Sequence, residues 1–410
     1  MRYVNGKVYY MGELVKKDFA IVKNRVTFKN IDRCEEEIDL TGIIVSPGFV
    51  DVHIHTRVPG FEYKEDIKHV TQALIYGGFT HAVAQSNTNP RPNTVGTFKK
   101  VQKLIDESEV NIIQAARITK EEKVVNIKKI SKYTRLFTDD GEPVVDDIEM
   151  QKAIKSAKET DSTLILHEQD SNIKGQMYHC SLSKENKIAA FNEDYESNIV
   201  RRDIKLNENI NAKLHFQHLS TKQSIELIKK ARKNGMNITA EVTPHHLFFD
   251  NEMIINDGKF KMNPPLANPK GRLELIKALK NKHITIIATD HAPHAKEEKQ
   301  GGFEDSVNGI IGLETSFGVV NTIAKQYKIP LKTIIESMSL NPGQLIGIDT
   351  SIKEGKIANL TFLDVNEKWE FKEKDIKSKS SNTPFIGIEL IGRVKGIVLN
   401  GKYKNFKGEK

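Results

Sequence analysis

Eight short runs rich in β-branched and apolar residues alternate along the chain with segments of helical pattern, and no other feature limits the fold as tightly. The runs are 49–55 FVDVHIH, 80–86 THAVAQS, 111–118 NIIQAARI, 134–139 TRLFTD, 163–168 TLILHE, 213–220 KLHFQHLS, 237–243 NITAEVT and 284–292 ITIIATDHA. Between them, segments such as DIEMQKAIKSAKET and TKQSIELIKKARKNG repeat apolar residues at helical spacing. Parallel strands need long crossovers, usually helices, so a series of βα units builds a parallel sheet. Eight units in series predict a (β/α)8 barrel of the TIM type, with its active site at the C-terminal ends of the strands. A doubly wound open sheet is the alternative for the same alternation.

At 410 residues the chain exceeds one ordinary domain, and its two ends differ from its middle. Residues 1–46 and 355–410 carry short strand-like pieces with turn signals, such as VNGKVYY and GRVKGIVLNGKYKN, and little that reads as helix. This predicts a catalytic barrel over 47–354 and a small β-sandwich domain built from both termini. An extended tail is the plainer alternative.

Charged residues at 28% and hydrophobic ones at 38% describe a globular chain, and no apolar run approaches the ~20 residues that cross a bilayer. The opening MRYVNGKVYYMGEL has no apolar signal core, and only Cys34 and Cys180 occur, so the expected compartment is the cytoplasm. A formal charge of +8 raises the question of nucleic acid, but the lysines are scattered among glutamates in stretches such as KEEKVVNIKKISK. A solvated surface is expected, with neither nucleic acid nor membrane as partner.

The ends of the runs hold the chemistry. Residues i and i+2 of a strand share a face, so His53 and His55 project together at the end of the first run. Paired imidazoles are metal-ligand material, although a lone H-x-H is a weak signal. Other runs add to it: His167 ends TLILH, His218 shares parity with Leu214 and Phe216, and Asp290 shares parity with Ile284, Ile286 and Ala288. His215 has the opposite parity and reads as structural. Asp139 and Asp140 follow the fourth run in FTDDG, where a plain Asp-Gly turn is the alternative. Four histidines and at least two carboxylates exceed what one cation needs and suit two, with a carboxylate between them.

These residues carry a resemblance. DVHIHTRVPGFEYKED, SNTNP, FTDDGEPV, RRDI, HLST, AEVTPHHL, KMNPPL, IATDHAPHAKEEK, GLET and NTPFIG occur in order from about residue 39 to 400. Together they resemble the bacterial type I dihydroorotases of the amidohydrolase superfamily, with KMNPPL, ATDHAPH and FTDDG as the specific elements. The resemblance implies a hydrolase with a binuclear zinc site, interconverting N-carbamoyl-L-aspartate and L-dihydroorotate in pyrimidine biosynthesis through a metal-bridged hydroxide. His53, His55 and Asp290 would hold one metal, His167 and His218 the other, and Asp140, rather than Asp139, would bridge them. Asp290 would also be the general acid and base. Arg57, two residues beyond the histidine pair, would grip the substrate carboxylate in a bidentate fork. The resemblance adds Asn87 and His294 to that pocket, Asn263 as a contact to the ring amides, and Asn308 and Gly309 as backbone contacts. It assigns His291 to a supporting role and His245 and His246 to the scaffold. It leaves a homodimer open.

The sequence departs from the family at Thr56, Val58, Gln85, Ser86, Gln169 and Ala267, none of them a ligand position. Relatives such as dihydropyrimidinases and allantoinases usually bridge their metals with a carboxylated lysine, and no lysine stands at the matching strand end here. Such a cyclic amidohydrolase is still the first alternative. A non-catalytic scaffold is the second, against which the complete ligand set argues. The glycines and charges of 295–308 make that segment a candidate mobile loop.

Overall fold

The structure, a computed structural model, describes residues 1–406. Each of the eight runs contains or overlaps a strand: β1 (Phe49–Ile54), β2 (Phe79–Ala84), β3 (Asn111–Gln114), β4 (Leu136–Thr138), β5 (Thr163–Leu166), β6 (Lys213–Phe216), β7 (Ile238–Val242) and β8 (Ile286–Ile287). A helix follows each: α1 (Ile67–Gly77), α2 (Val95–Ile105), α3 (Ile127–Ile130), α4 (Asp147–Glu159), α5 (Asp194–Asn207), α6 (Lys222–Lys233), α7 (Pro269–Lys280) and α8 (Ser316–Tyr327). Local chemistry sets the helix starts. The Asp146 and Thr221 side chains accept the backbone N–H groups of Glu149 and Ser224, satisfying donors that a helix N-terminus otherwise leaves open. Between α1 and β2 the chain reverses at Gly78 (φ 85°), where a Cβ would come within 2.5 Å of Thr361 Cγ2, so only glycine fits.

The strands form two parallel sheets, β3-β2-β1 and β4-β5-β6-β7-β8. At one seam Ala116, just past β3, bridges Phe137 of β4. At the other, Ile54 bridges His291, and His55 N–H donates to His291 O at 2.9 Å. The Asp51 carboxylate reinforces that second seam by accepting the Thr289 N–H at 3.2 Å.

Burial separates the two faces of the strands. Val50, Val52, Val83, Leu136, Ile165 and Ile286 belong to one cluster whose buried members all come from the strand runs. Phe49, Phe79, Leu164 and Phe216, on the other face, pack with helix residues such as Leu74, Val101, Ile154 and Ile225. The alternation therefore marks an inner layer of strand side chains and an outer layer against helices, as a sheet covered by βα crossovers requires.

Both ends of the chain share one six-stranded sheet, in which Ile44–Pro47 lies between Leu360–Glu370 and Lys7–Tyr10. Its pairing with the C-terminal strand is antiparallel, with Phe362 opposite Val45. A four-stranded sheet from residues 2–39 accompanies it, and Tyr3, Phe19, Val45 and Phe362 lie in the buried cluster of this region. Among the described residues no helix is long and apolar enough to cross a membrane.

Candidate active site

All six expected ligands meet at the C-terminal ends of the strands. His53 lies in β1 and His55 just beyond it, although Val50 and Val52, of the opposite parity, occupy the inner cluster. A register shift between Asp51 and Ile54 changes the parity and turns both imidazoles to the same side as the inner residues. Asp140, His167, His218 and Asp290 stand one to three residues past β4, β5, β6 and β8. The parity argument for His218 needs correction: Leu214 and Phe216 face the helices, and His218 reaches the site because its backbone turns to a φ of +28°. Asp290 also has a left-handed backbone, at φ +48°. Non-glycine residues in this region are strained, and such residues cluster at functional sites.

Asp140 is central. Its Oδ1 lies 3.3 Å from His53 Nε2 and 3.4 Å from His167 Nδ1, and its Oδ2 lies 3.6 Å from His55 Nε2. Asp290 Oδ1 is 3.1 Å from His55 Nε2 and 3.3 Å from His53 Nε2. The His218 ring is tilted against His53 and edge-on to His167, 5.1 and 4.6 Å away between centroids. Two groups, His53–His55–Asp290 and His53–Asp140–His218, bring ligand atoms within 4.8 Å of one another and could hold a metal ion. All members are buried.

The electrostatics suit a cation. Burial alone would raise the Asp140 carboxyl, but His53, His167 and His55 outweigh it and hold the group well below the usual carboxylate range. Burial and the neighbouring His167 and His53 rings push His218 far down, so this imidazole is neutral and keeps a lone pair. The buried His167 Nδ1 makes no hydrogen bond, which leaves it free to ligate. Its Nε2 lies 3.3 Å from Gln169 Oε1 and 3.1 Å from Asn263 Nδ2. Burial alone would lower His53, but Asp290, Asp140 and Glu241 outweigh it and raise the imidazole well above its usual range, a preference for positive charge that a bound cation would meet in place of the proton. Imidazoles with buried carboxylates are the donor set of a divalent metal site.

The two aspartates of FTDDG divide sharply. Asp139 accepts from the Ile118 N–H at 2.9 Å and pairs with Arg117 at 2.8 Å, so its carboxylate serves the scaffold, while Asp140 faces the histidines.

Arg57 and His294 form a second patch. Arg57 (φ +60°) donates from Nε to Pro293 O at 3.0 Å and from Nη2 to His294 Nε2 at 3.1 Å. Burial and the adjacent Arg57 and Lys64 cations push His294 far down, so it is neutral and able to accept that bond. Asn87, expected in the same pocket, instead contacts the ligand cluster: its Oδ1 accepts from His55 Nδ1 at 3.0 Å and its Nδ2 donates to Asp140 Oδ2 at 3.2 Å. Asn263 donates to Gln169 Oε1 at 2.8 Å and accepts from the Tyr195 hydroxyl at 3.2 Å. Asn308 is exposed, whereas Gly309 is buried at φ +125°, where a Cβ would meet Ala292 at 2.7 Å and the His294 ring at 3.1 Å. The segment 295–308 is tied down by Lys299, whose buried ammonium donates to the carbonyls of Lys261, Val307 and Gly309 at 3.1, 2.8 and 2.9 Å.

Two of the three histidines read as supporting, His291 and His246, are tied to neighbouring backbone and side chains, whereas the buried Nε2 of His245 makes no hydrogen bond. His291 Nδ1 accepts the Gly312 N–H at 3.3 Å, and His246 bridges Thr243 and the Pro264 carbonyl. One residue escaped sequence reasoning altogether. Glu241, fully buried in β7, lies 2.7 Å from His53 Nδ1 and 2.8 Å from His215 Nε2, and it accepts the His218 N–H at 3.2 Å. His53 and His215 outweigh its burial and hold its carboxyl at about 2. The available signal was a lone glutamate inside the otherwise uncharged run NITAEVT.

Comparison with known proteins identifies the family of the chain. The model of the amidohydrolase family matches residues 44–404. A dihydroorotase of Lactobacillus gasseri is 36% identical, the alignment covering 99% of both chains, and one of Clostridium acetobutylicum is 37% identical over 91% of this chain and 90% of its own. Among solved structures, an L-hydantoinase (dihydropyrimidinase) from Arthrobacter aurescens superposes with a TM-score of 0.89 at 21% identity, covering 100% of this chain and 96% of its own. A dihydropyrimidinase from Brevibacillus agri gives 0.85 at 19%, covering 98% and 94%. These two likenesses speak for the fold alone. Matched over most of its length by the family model and over nearly all of it by such relatives, the chain belongs to the amidohydrolase family.

Proposed function

We propose that this chain is a dihydroorotase, closing N-carbamoyl-L-aspartate to L-dihydroorotate and reopening it. The observation that carries this reading is the Arg57–His294 pair beside the ligand cluster. A cyclic amide bearing a carboxylate needs a fixed cation next to the reacting centre, and an uncharged ring does not. The identity of 36–37% with dihydroorotases over nearly the whole chain supports the same substrate.

The eight strands read as a closed (β/α)8 barrel over 47–354, supported by the bridges at both seams. Residues 1–46 and 355–410 read as the two halves of a small β-sandwich domain, supported by the sheet that their described residues share, 407–410 lying outside those described.

The donor set fits two divalent cations, with zinc the best match to neutral imidazole and carboxylate. His53, His55 and Asp290 would hold one, His167 and His218 the other, and Asp140 would stand between them. When bound, such ions lower the pKa of water and polarise a carbonyl. Arg57 orients the ring by its carboxylate through two parallel N–H donors. His294, neutral and accepting from Arg57, fixes the plane of that fork. Asn87 holds His55 and Asp140 in register, and Asn263, positioned by Tyr195 and Gln169, meets the ring amides. Gly309 keeps the loop that carries Asn308 against the His294 ring. Asp290 takes the proton of the attacking water and delivers it to the departing ring nitrogen, and in synthesis it returns that proton.

The test is a spectrophotometric ring-opening assay on dihydroorotate and on dihydrouracil, which lacks the carboxylate, with and without chelator. Turnover of dihydroorotate that the chelator abolishes, with dihydrouracil far poorer, is expected. Preference for the uncharged ring would overturn the substrate assignment.

A further inference from the structure

We propose that Glu241 is a positioning residue that sets the ligating tautomer of His53 and ties together the two halves of the donor cluster. This rests on reading the cluster as a cation site. Glu241 has no solvent-exposed surface and faces inward from β7 beside Thr239. Three donors converge on its two oxygens. His53 Nδ1 lies 2.7 Å from Oε1, the His218 N–H reaches the same oxygen at 3.2 Å, and His215 Nε2 lies 2.8 Å from Oε2. His215 Nδ1 lies 2.9 Å from Thr239 Oγ1.

A carboxylate without its proton only accepts, so with one hydrogen on each imidazole, as metal ligation at His53 requires, the hydrogens along this chain have one consistent placement. His53 donates from Nδ1, which leaves the lone pair of a neutral His53 on Nε2, the nitrogen 3.3 Å from both Asp140 and Asp290. His215 donates from Nε2 and accepts the Thr239 hydroxyl hydrogen at Nδ1. Gln217 Nε2, which donates to Gln85 Oε1 at 3.2 Å, lies 3.1 Å from His53 Nδ1 and 3.4 Å from its Nε2, so the nearest partner of Nδ1 is the Glu241 carboxylate at 2.7 Å, which can only accept. Carboxylates behind metal-binding histidines orient the ring and raise its basicity.

The position of Glu241 gives it a second task. Its Oε1 holds the ring of one ligand, His53, and the backbone of another, His218, at the residue whose φ of +28° brings that imidazole into the site. These two histidines are assigned to different cations. One buried side chain therefore fixes a ligand of each, and His215, which ligates nothing, anchors it from behind.

The experiment measures zinc binding to the metal-free full chain by competition with a chromophoric chelator, for the wild type, Glu241→Gln and His215→Gln. Glutamine keeps the shape but offers a donor where one imidazole presents its own N–H, so that ring must change tautomer. Glu241→Gln is expected to weaken zinc binding about 10–100-fold, and His215→Gln by a smaller factor. A folded Glu241→Gln protein that binds zinc within about twofold of the wild type, against that 10–100-fold expectation, would overturn the proposal. Imidazole 15N resonances of the zinc-loaded wild type test it without any substitution. His53 protonated at Nδ1 and His215 at Nε2 are expected, and His53 protonated at Nε2 overturns it. Failure of the wild type to bind zinc at all is a separate result, which removes the cation reading itself.

Discussion

Arg57 shows how much one residue can decide. Its guanidinium is held at Nε by the Pro293 carbonyl and at Nη2 by His294, so the fork is set before any substrate arrives. Arg57→Ala is expected to lower kcat/KM for dihydroorotate by about 2–5 kcal/mol of transition-state binding, about thirtyfold or more, as for the loss of one partner from a desolvated charge pair. Arg57→Lys should lose less, because it keeps the charge but not the planar fork. Steady-state kinetics on dihydroorotate and dihydrouracil check both, and an equal loss on the two rings would remove Arg57 from carboxylate recognition. At this scale the six side chains that meet in the cluster were legible in the sequence, because each sits at or near the exit of a β-rich run. Glu241 was not, since a strand sequence does not say which neighbouring strand a buried carboxylate will face. Asn87 was placed in the carboxylate pocket by resemblance, while its amide holds His55 and Asp140.

Strands and helices were readable wherever periodicity was strong, and the structure differs where a strand departs from it. The register shift in β1 and the left-handed turn at His218 both change which face a side chain takes, and neither leaves a mark in hydrophobic alternation. Strand β2 supplies a test of stability. Its His81 is largely buried, with Thr80 Oγ1 3.0 Å from Nδ1, and burial pushes the imidazole down to about 4. The unfolded chain takes up this proton near pH 6.5, well before the folded protein does. The contribution is therefore complete above about pH 6.5 and is lost as the pH falls towards 4, amounting to about 2 kcal/mol by pH 5. His81→Gln should shrink the fall in urea midpoint between pH 7 and pH 5. An unchanged difference between the two midpoints would mean that His81 titrates normally.

The molecule as a whole depends on a sheet shared by its ends. Phe362, 1% exposed, forms a triangle of rings with Tyr3 and Tyr403 at 5.6 and 5.5 Å and is thereby packed against residues far away in sequence. Phe362→Ala is expected to cost about 3–5 kcal/mol, read as a lower denaturation midpoint, with kcat of the folded enzyme unchanged. A midpoint within experimental error of the wild type would show that this sheet adds little to stability. The β-rich character of both ends was visible from turn signals and strand-like runs. Their pairing was an inference from symmetry of composition, because no local pattern announces a partner so distant. That separation bears on synthesis. Ile44–Pro47 leaves the ribosome about 300 residues before the strand that covers its flank, a delay on the order of 15–60 seconds at roughly 5–20 residues per second. Throughout that interval the nascent chain carries an open β edge, so a strand made late in translation shields one made early from aggregation.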